Sequence, residues 1–265
     1  MKSPVLSILF LLISVTLLAV PNDFRFRHFS VEDGLSSNSV RAIMQDKYGF
    51  LWIGTEEGLN RYDGIMIKSY SICPQAAGKY ISSLYGTKKN IWIGTDEGIY
   101  IYAYATETFT YFDLTTPNNV RITSIVNHIL QDKDGNLWFS TNGQGLFRYN
   151  LSKNYLEQYE FTSAFGIVAS TMADSDNQIW ALTNQGESGV YKLNKAENKF
   201  EPFGLLYNAG NHHSQALAML EDSEQTLWLG TWECGLQKID KYTRQTTTYL
   251  HPTDGKGVTH IHSLM

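Results

Sequence analysis

The chain has 265 residues, 43% of them hydrophobic and 18% charged, which excludes a disordered segment and fits an ordered domain or part of one. A net charge of −5 leaves no chain-wide basic field, so neither nucleic acid nor anionic lipid is an expected partner. The two cysteines, Cys73 and Cys234, show no CxxC or Cys/His zinc spacing and read as buried thiols. A disulfide between them would need Cα atoms within about 7 Å.

Residues 1–21 carry Lys2 and then an apolar run of 16 residues, 5–20. That is shorter than the roughly 20 residues of a membrane span. It fits a secretory signal peptide or, since no A-x-A precedes Pro21, an uncleaved N-terminal anchor. Either places residues 22–265 outside the cytoplasm, and a periplasmic location is expected. The run FRFRHF at 24–29 predicts a lone strand comparable to the outer strand TTTYL at 246–250.

From there the chain repeats. Trp52, Trp92, Trp138, Trp180 and Trp228 are spaced by 40, 46, 42 and 48 residues. Three residues after each stands Thr55, Thr95, Thr141, Thr183 or Thr231, and six before it Asp46, Gly86, Asp132, Asp174 or Asp222. A Gly and an aliphatic residue follow, as in Gly58-Leu59 and Gly145-Leu146. Within the third repeat, residues 122–130 predict a first strand and Asp132 to Gly135 a tight turn. NLWFST, GLFRYN and YLEQYEF complete four strands. Four short strands per period of about 44 residues is the pattern of a propeller blade.

The prediction is an all-β fold, a β-propeller of five four-stranded blades, approximately 36–72, 78–114, 120–162, 165–204 and 212–250. An N-terminal closing strand precedes them and 257–265 starts a sixth blade, so the ring is incomplete and the chain reads as an N-terminal fragment. The first strands are apolar on both faces, which predicts cover on both. The repeated Trp residues are then packing residues between blades. The first turn reads as constant in length, whereas the loops between second and third strands and between blades vary.

Variable loops on a constant scaffold are where binding concentrates. They gather on one face, around the mouth of a central channel. There Arg121, Asn142, Gln144, Tyr207, Asn211, His212, His213 and Trp232 offer planar rings and polar groups suited to an oligosaccharide. His212 and His213 are adjacent, and His260 and His262 are two apart, without an acid to complete a metal set, so neither metal nor cofactor is expected. The chain has no G-x-S-x-G, no Gly-rich phosphate loop and no H-E-x-x-H, so no catalytic residue is assigned.

Residues 29–64, FSVEDGLSSNSVRAIMQDKYGFLWIGTEEGLNRYDG, resemble the opening of the periplasmic sensor region of Bacteroidetes hybrid two-component system proteins. The recurrent DxxGxLWIGT…GLxRYD is similar to their two-component-regulator propeller repeat. The resemblance covers residues 24–265. Blade four departs at Ala181-Leu182 and at its turn, and blade two lacks the turn Asp. The resemblance implies a second propeller, a β-sandwich, one membrane helix and a histidine kinase in the whole protein, acting as a homodimer on glycan-derived oligosaccharides. This chain has no kinase motif. The competing readings are a secreted propeller glycoside hydrolase or lyase and a non-catalytic interaction propeller. Against a sialidase, Lys133 holds the Asp-box position.

Overall fold

The computed structural model describes residues 26–72, 79–161, 166–183, 189–205, 215–232 and 235–249, with Ile261 and Leu264. The leader expected at 1–21, Cys73, Cys234, Tyr207, Asn211, His212, His213, His260 and His262 lie outside the described residues.

Twenty strands form five four-stranded antiparallel sheets, each with its strands in chain order. Blade one holds β1 (Val40–Gln45), β2 (Leu51–Thr55), β3 (Gly58–Tyr62) and β4 (Ile67–Tyr70). Blade two holds β5 (Ile81–Gly86), β6 (Asn90–Thr95), β7 (Gly98–Ala103) and β8 (Thr108–Tyr111). Blade three holds β9 (Val126–Gln131), β10 (Leu137–Thr141), β11 (Leu146–Asn150) and β12 (Tyr155–Tyr159). Blade four holds β13 (Val168–Ala173), β14 (Ile179–Thr183), β15 (Gly189–Asn194) and β16 (Lys199–Leu205). Blade five holds β17 (Ala216–Glu221), β18 (Leu227–Thr231), β19 (Leu236–Ile239) and β20 (Thr246–Thr248). The sheets are not closed into a ring.

The period-two alternation of the second strands decides how the sheets stack. Each of the first four Trp residues faces the following blade. Trp52 packs with Ile81, Ile91, Ile93 and Tyr102, and Trp92 with Val126, Leu137 and Phe139. Trp138 meets Ile179, Ala181 and Leu193, and Trp180 meets Ala216, Leu227 and Leu229. Four of these indoles are buried and Trp228, on the outer face of blade five, is half-buried.

Two local devices explain the repeated residues. In the first, the turn Asp binds its own backbone and the indole together. Asp132 accepts from Asn136 N (2.8 Å) and from Trp138 Nε1 (2.8 Å). Asp46, Asp174 and Asp222 bind Trp52, Trp180 and Trp228 at 2.7, 3.0 and 2.7 Å. In the second, the repeated Thr closes the hairpin between second and third strands. Thr55, Thr95, Thr141 and Thr231 donate to the carbonyls of Gly58, Gly98, Gly145 and Gly235 at 3.0, 3.0, 2.6 and 2.8 Å. All of these Thr side chains are completely buried.

Blade two departs from the frame. Its register pairs Tyr85 with Trp92 and Gly86 with Ile91, where blade one pairs Met44 with Trp52 and Gln45 with Leu51. Its first turn is therefore one residue shorter, and the constant length read from the sequence does not hold. Thr87, not Gly86, stands where the Asp stands elsewhere. Its hydroxyl accepts from Asn90 N (3.0 Å) but is too short to reach the ring, and Trp92 Nε1 is buried without a partner. Cations cross-strand from the other four Trp rings, Arg61, Arg148, Lys192 and Lys238, lie 5.3–5.8 Å from the ring centroids. Blade two has Ile101 in that place.

The expectation that first strands are covered on both faces also fails in part. Ile43 is 67% exposed, and Leu217 and Met219 are half-buried. The first strand is the innermost of each sheet, so one side of it borders the central channel. Every first strand bulges near its start, as between Val40 and Ala42 or Ile81 and Ser83, which re-aims the side chains that follow.

Adjacent first strands approach closely where the second strand carries Gly. A Cβ on Gly94 would lie 2.2 Å from Ser83 Oγ and 3.0 Å from the Val126 carbonyl oxygen. Gly94→Ala is therefore expected to cost about 1–3 kcal/mol by overpacking. Denaturant titration checks this, and an unchanged midpoint would show that the blades can separate without penalty.

Residues 26–30 carry no strand. A strand needs a free edge, and each described third strand already pairs with its own fourth. The segment instead covers blade one. Phe29 packs on Tyr62 at 4.8 Å between centroids, with the Arg27 guanidinium 4.8 Å from the Phe29 ring. Further on, Leu35 is buried and Ser36 N donates to Asn60 Oδ1 (3.0 Å). At the other end Ile261 N donates to the Thr231 carbonyl (2.9 Å), and Ile261 packs on Gly230 as Ile81 packs on Gly54. That is the place where a following first strand would begin.

Candidate functional site

The residues after Thr55, Thr141 and Thr231 lie beside the start of the first strands that border the channel. Glu56, Asn142 and Trp232 each donate a backbone N–H to the residue just before a first strand: to Ser39 O (3.1 Å), Ile125 O (2.9 Å) and Gln215 O (3.0 Å). The hairpin Thr fixes the positions of Glu56, Asn142 and Trp232.

Of the residues selected from the sequence, Arg121, Asn142 and Gln144 come together where the chain enters blade three. Gln144 has a structural task in that place. Its Oε1 accepts from Thr123 N (2.8 Å) and Ser124 N (3.0 Å), and its Nε2 donates to Arg121 O (2.9 Å). Arg121 is half exposed and ion-paired with Asp113 at 2.7 Å. Asn142 is exposed beside an isolated bridge to Ile167. Trp232 is 39% exposed at the corresponding position of blade five.

The first strands line a half-open cavity of about 680 Å³. Arg41, Asn127, His128 and Ser170 are among its polar lining, with Leu84, Met172, Leu217 and Met219 among the apolar part. Arg41 is ion-paired with Glu56. The hydrogen bond to Glu56 raises Arg41 and lowers Glu56, so both stay charged and cancel. Asn127 Nδ2 donates to Val168 O (2.8 Å), tying blade three to blade four. His128 Nδ1 accepts from Thr171 N (3.4 Å). Burial pushes His128 down to about 4. The ring is therefore neutral near pH 7 and holds its proton on Nε2.

Sequence reasoning did not select these wall residues. One signal was present: in the column Ala42, Ser82, His128, Ser170, Ala218, only His128 is large. Among the described residues no group of three or more His, Cys, Asp and Glu is arranged to hold a metal ion. No described helix is long and apolar enough to cross a membrane.

Comparison with known proteins bears on the repeats directly. The two component regulator propeller family matches residues 34–57 and 119–143. The chain carries two-component regulator propeller repeats. These two matches lie in blades one and three, where the Asp, Trp and Thr frame is complete. Histidine kinase P4 of Formosa agariphila is 46% identical over 68 residues, 26% of this chain and 5% of that protein. The extracellular domain of the hybrid two component system BT3049 from B. thetaiotaomicron superposes with a TM-score of 0.70 at 25% identity, over 83% of this chain and 31% of that one. Virginiamycin B lyase from Staphylococcus aureus shares the fold, with a TM-score of 0.63 at 16% identity over 83% of this chain and 75% of the lyase. The chain thus spans a small part of the histidine kinase and under a third of the hybrid-system domain.

Proposed function

We propose that this propeller is the ligand-sensing part of an extracytoplasmic sensor that signals through a histidine kinase, is itself non-catalytic, and responds to a glycan-derived oligosaccharide. The observation that carries the reading is the likeness of five successive blades to the extracellular domain of a hybrid two component system, at 25% identity and a TM-score of 0.70. The resemblance of residues 29–64 to periplasmic sensor regions supports a periplasmic location, with the rest of the sensor chain as partner and a homodimer as the working form. Ligand binding would bias the packing of this propeller on its neighbours, which requires different affinities for two states.

The test is calorimetric titration of the chain with oligosaccharides released from plant and host glycans, with product analysis in parallel. Saturable binding with every sugar recovered intact is the expected result. New reducing ends or unsaturated products would overturn the non-catalytic reading in favour of a hydrolase or lyase.

A further inference from the structure

We propose that the wall of the central channel, rather than the loop rim at its mouth, is a binding site for a small uncharged hydroxylated molecule the size of a disaccharide. The proposal rests on the ligand-sensing reading above and gives it a location and a chemistry.

Three polar side chains on the wall each keep an atom without a hydrogen-bond partner among the described residues. His128 Nδ1 is occupied by Thr171 N–H, which leaves Nε2–H as a free donor. Asn127 donates its amide N–H to Val168 O, which leaves Oδ1 as a free acceptor. The Ser170 hydroxyl has no hydrogen-bond partner among the described residues, and it can both donate and accept. They belong to two neighbouring first strands, β9 and β13, and line one cavity. A donor, an acceptor and a group that is both are what a vicinal diol or a ring hydroxyl requires.

Charge selects further. Among the described residues of the wall the one ionised side chain, Arg41, is compensated by Glu56. An anion or a cation seated against the wall would lose part of its hydration without gaining a counter-charge, which is a cost. A neutral molecule avoids that penalty. Leu84, Met172 and Leu217 supply apolar surface for the C–H face of a sugar ring, and Met adapts to irregular shapes. A volume of about 680 Å³ falls inside the range of roughly 300–1,000 Å³ typical of small-molecule sites. At the rim, by contrast, the amide of Gln144 is already engaged by Thr123, Ser124 and Arg121.

The experiment titrates the whole chain with maltose, cellobiose and lactose, and with lactobionate as an acidic counterpart. Imidazole proton–nitrogen spectra follow His128 and indole resonances follow Trp232. We expect at least one neutral disaccharide to shift the His128 Nε2–H signal. Lactobionate should bind at least tenfold more weakly. His128→Phe and Ser170→Ala should each weaken the neutral sugar tenfold or more, while Trp232→Ala changes Kd less than twofold. Ser170→Ala removes no bond among the described residues, so its effect does not depend on how His128→Phe folds. Sugar binding that shifts Trp232, leaves His128 unmoved and survives both channel variants would overturn the channel site while leaving the sensing reading in place. No response to any of the sugars at either position would overturn both.

Discussion

Trp138→Phe is expected to destabilise the chain by about 1.5–3 kcal/mol more than Trp92→Phe, read as the difference between their unfolding free energies in denaturant. Both rings are buried, at 1% and 3% exposure, and both pack against the next blade, so the loss of ring volume is similar. The difference lies in the N–H. Trp138 donates to Asp132, which is itself buried and also accepts from Asn136 N and Asn136 Nδ2. Removing the indole donor leaves an enclosed carboxylate short of one partner. Trp92 has no such bond to lose, since Thr87 stands in the Asp position and Nε1 is already unpartnered. Replacing it by Phe even relieves a buried, unpaired donor. Equal costs at the two sites would mean that the Asp–Trp bond is incidental to the blade and that burial alone explains the repeat.

Lys241→Met should cost about 3–5 kcal/mol, the scale for breaking a buried ion pair by removing one partner. Lys241 is 6% exposed and reaches Glu221 (2.7 Å), Asp176 (2.8 Å) and Asp174 (3.7 Å). Asp174 is the turn acid of blade four and Glu221 ends the first strand of blade five, so one cation joins two blades. Without it Asp174, 3% exposed, faces Glu221 with no counter-charge. Burial alone would lower the Lys241 pKa, but the hydrogen bonds it donates to Asp176 and Glu221 outweigh it and hold the pKa well above the ordinary range. A pKa raised on folding stabilises the native state fully below the unfolded value, near 10.4, and the contribution is lost only as pH climbs through the folded value. The gap between wild type and Lys241→Met should therefore stay constant from pH 7 to 10. A gap that closes by pH 9 would contradict the buried-cation account.

Much of the blade was legible because its defining bonds are local. Asp to Trp spans six residues, and Thr to the hairpin Gly three to six, so fixed spacing reports them directly. Even the odd blade announced itself by lacking its Asp, although spacing from Trp92 assigned the place to Gly86. Only the pairing of Gly86 with Ile91 moves it to Thr87. The expected strand at 24–29 shows the opposite limit. Aromatic alternation there suits a strand, but no third-strand edge is free to receive one among the described sheets.

For the candidate site the balance tips the other way. Loop variability pointed to a rim, yet nothing in the sequence distinguishes the committed amide of Gln144 from the exposed Asn142. By itself the sequence determined the repeat, its strands, the turn Asp, the hairpin Thr and the packing role of the Trp. The tertiary structure alone decided that Asn127, His128 and Ser170 share one wall, that Lys241 gathers acids 20 and 65 residues away, and that Ser36 docks on Asn60. The physical reason is range. A bond within a turn depends on the backbone of a few consecutive residues, whereas contacts such as Thr171 to His128, 43 residues apart, exist only once separate sheets have stacked.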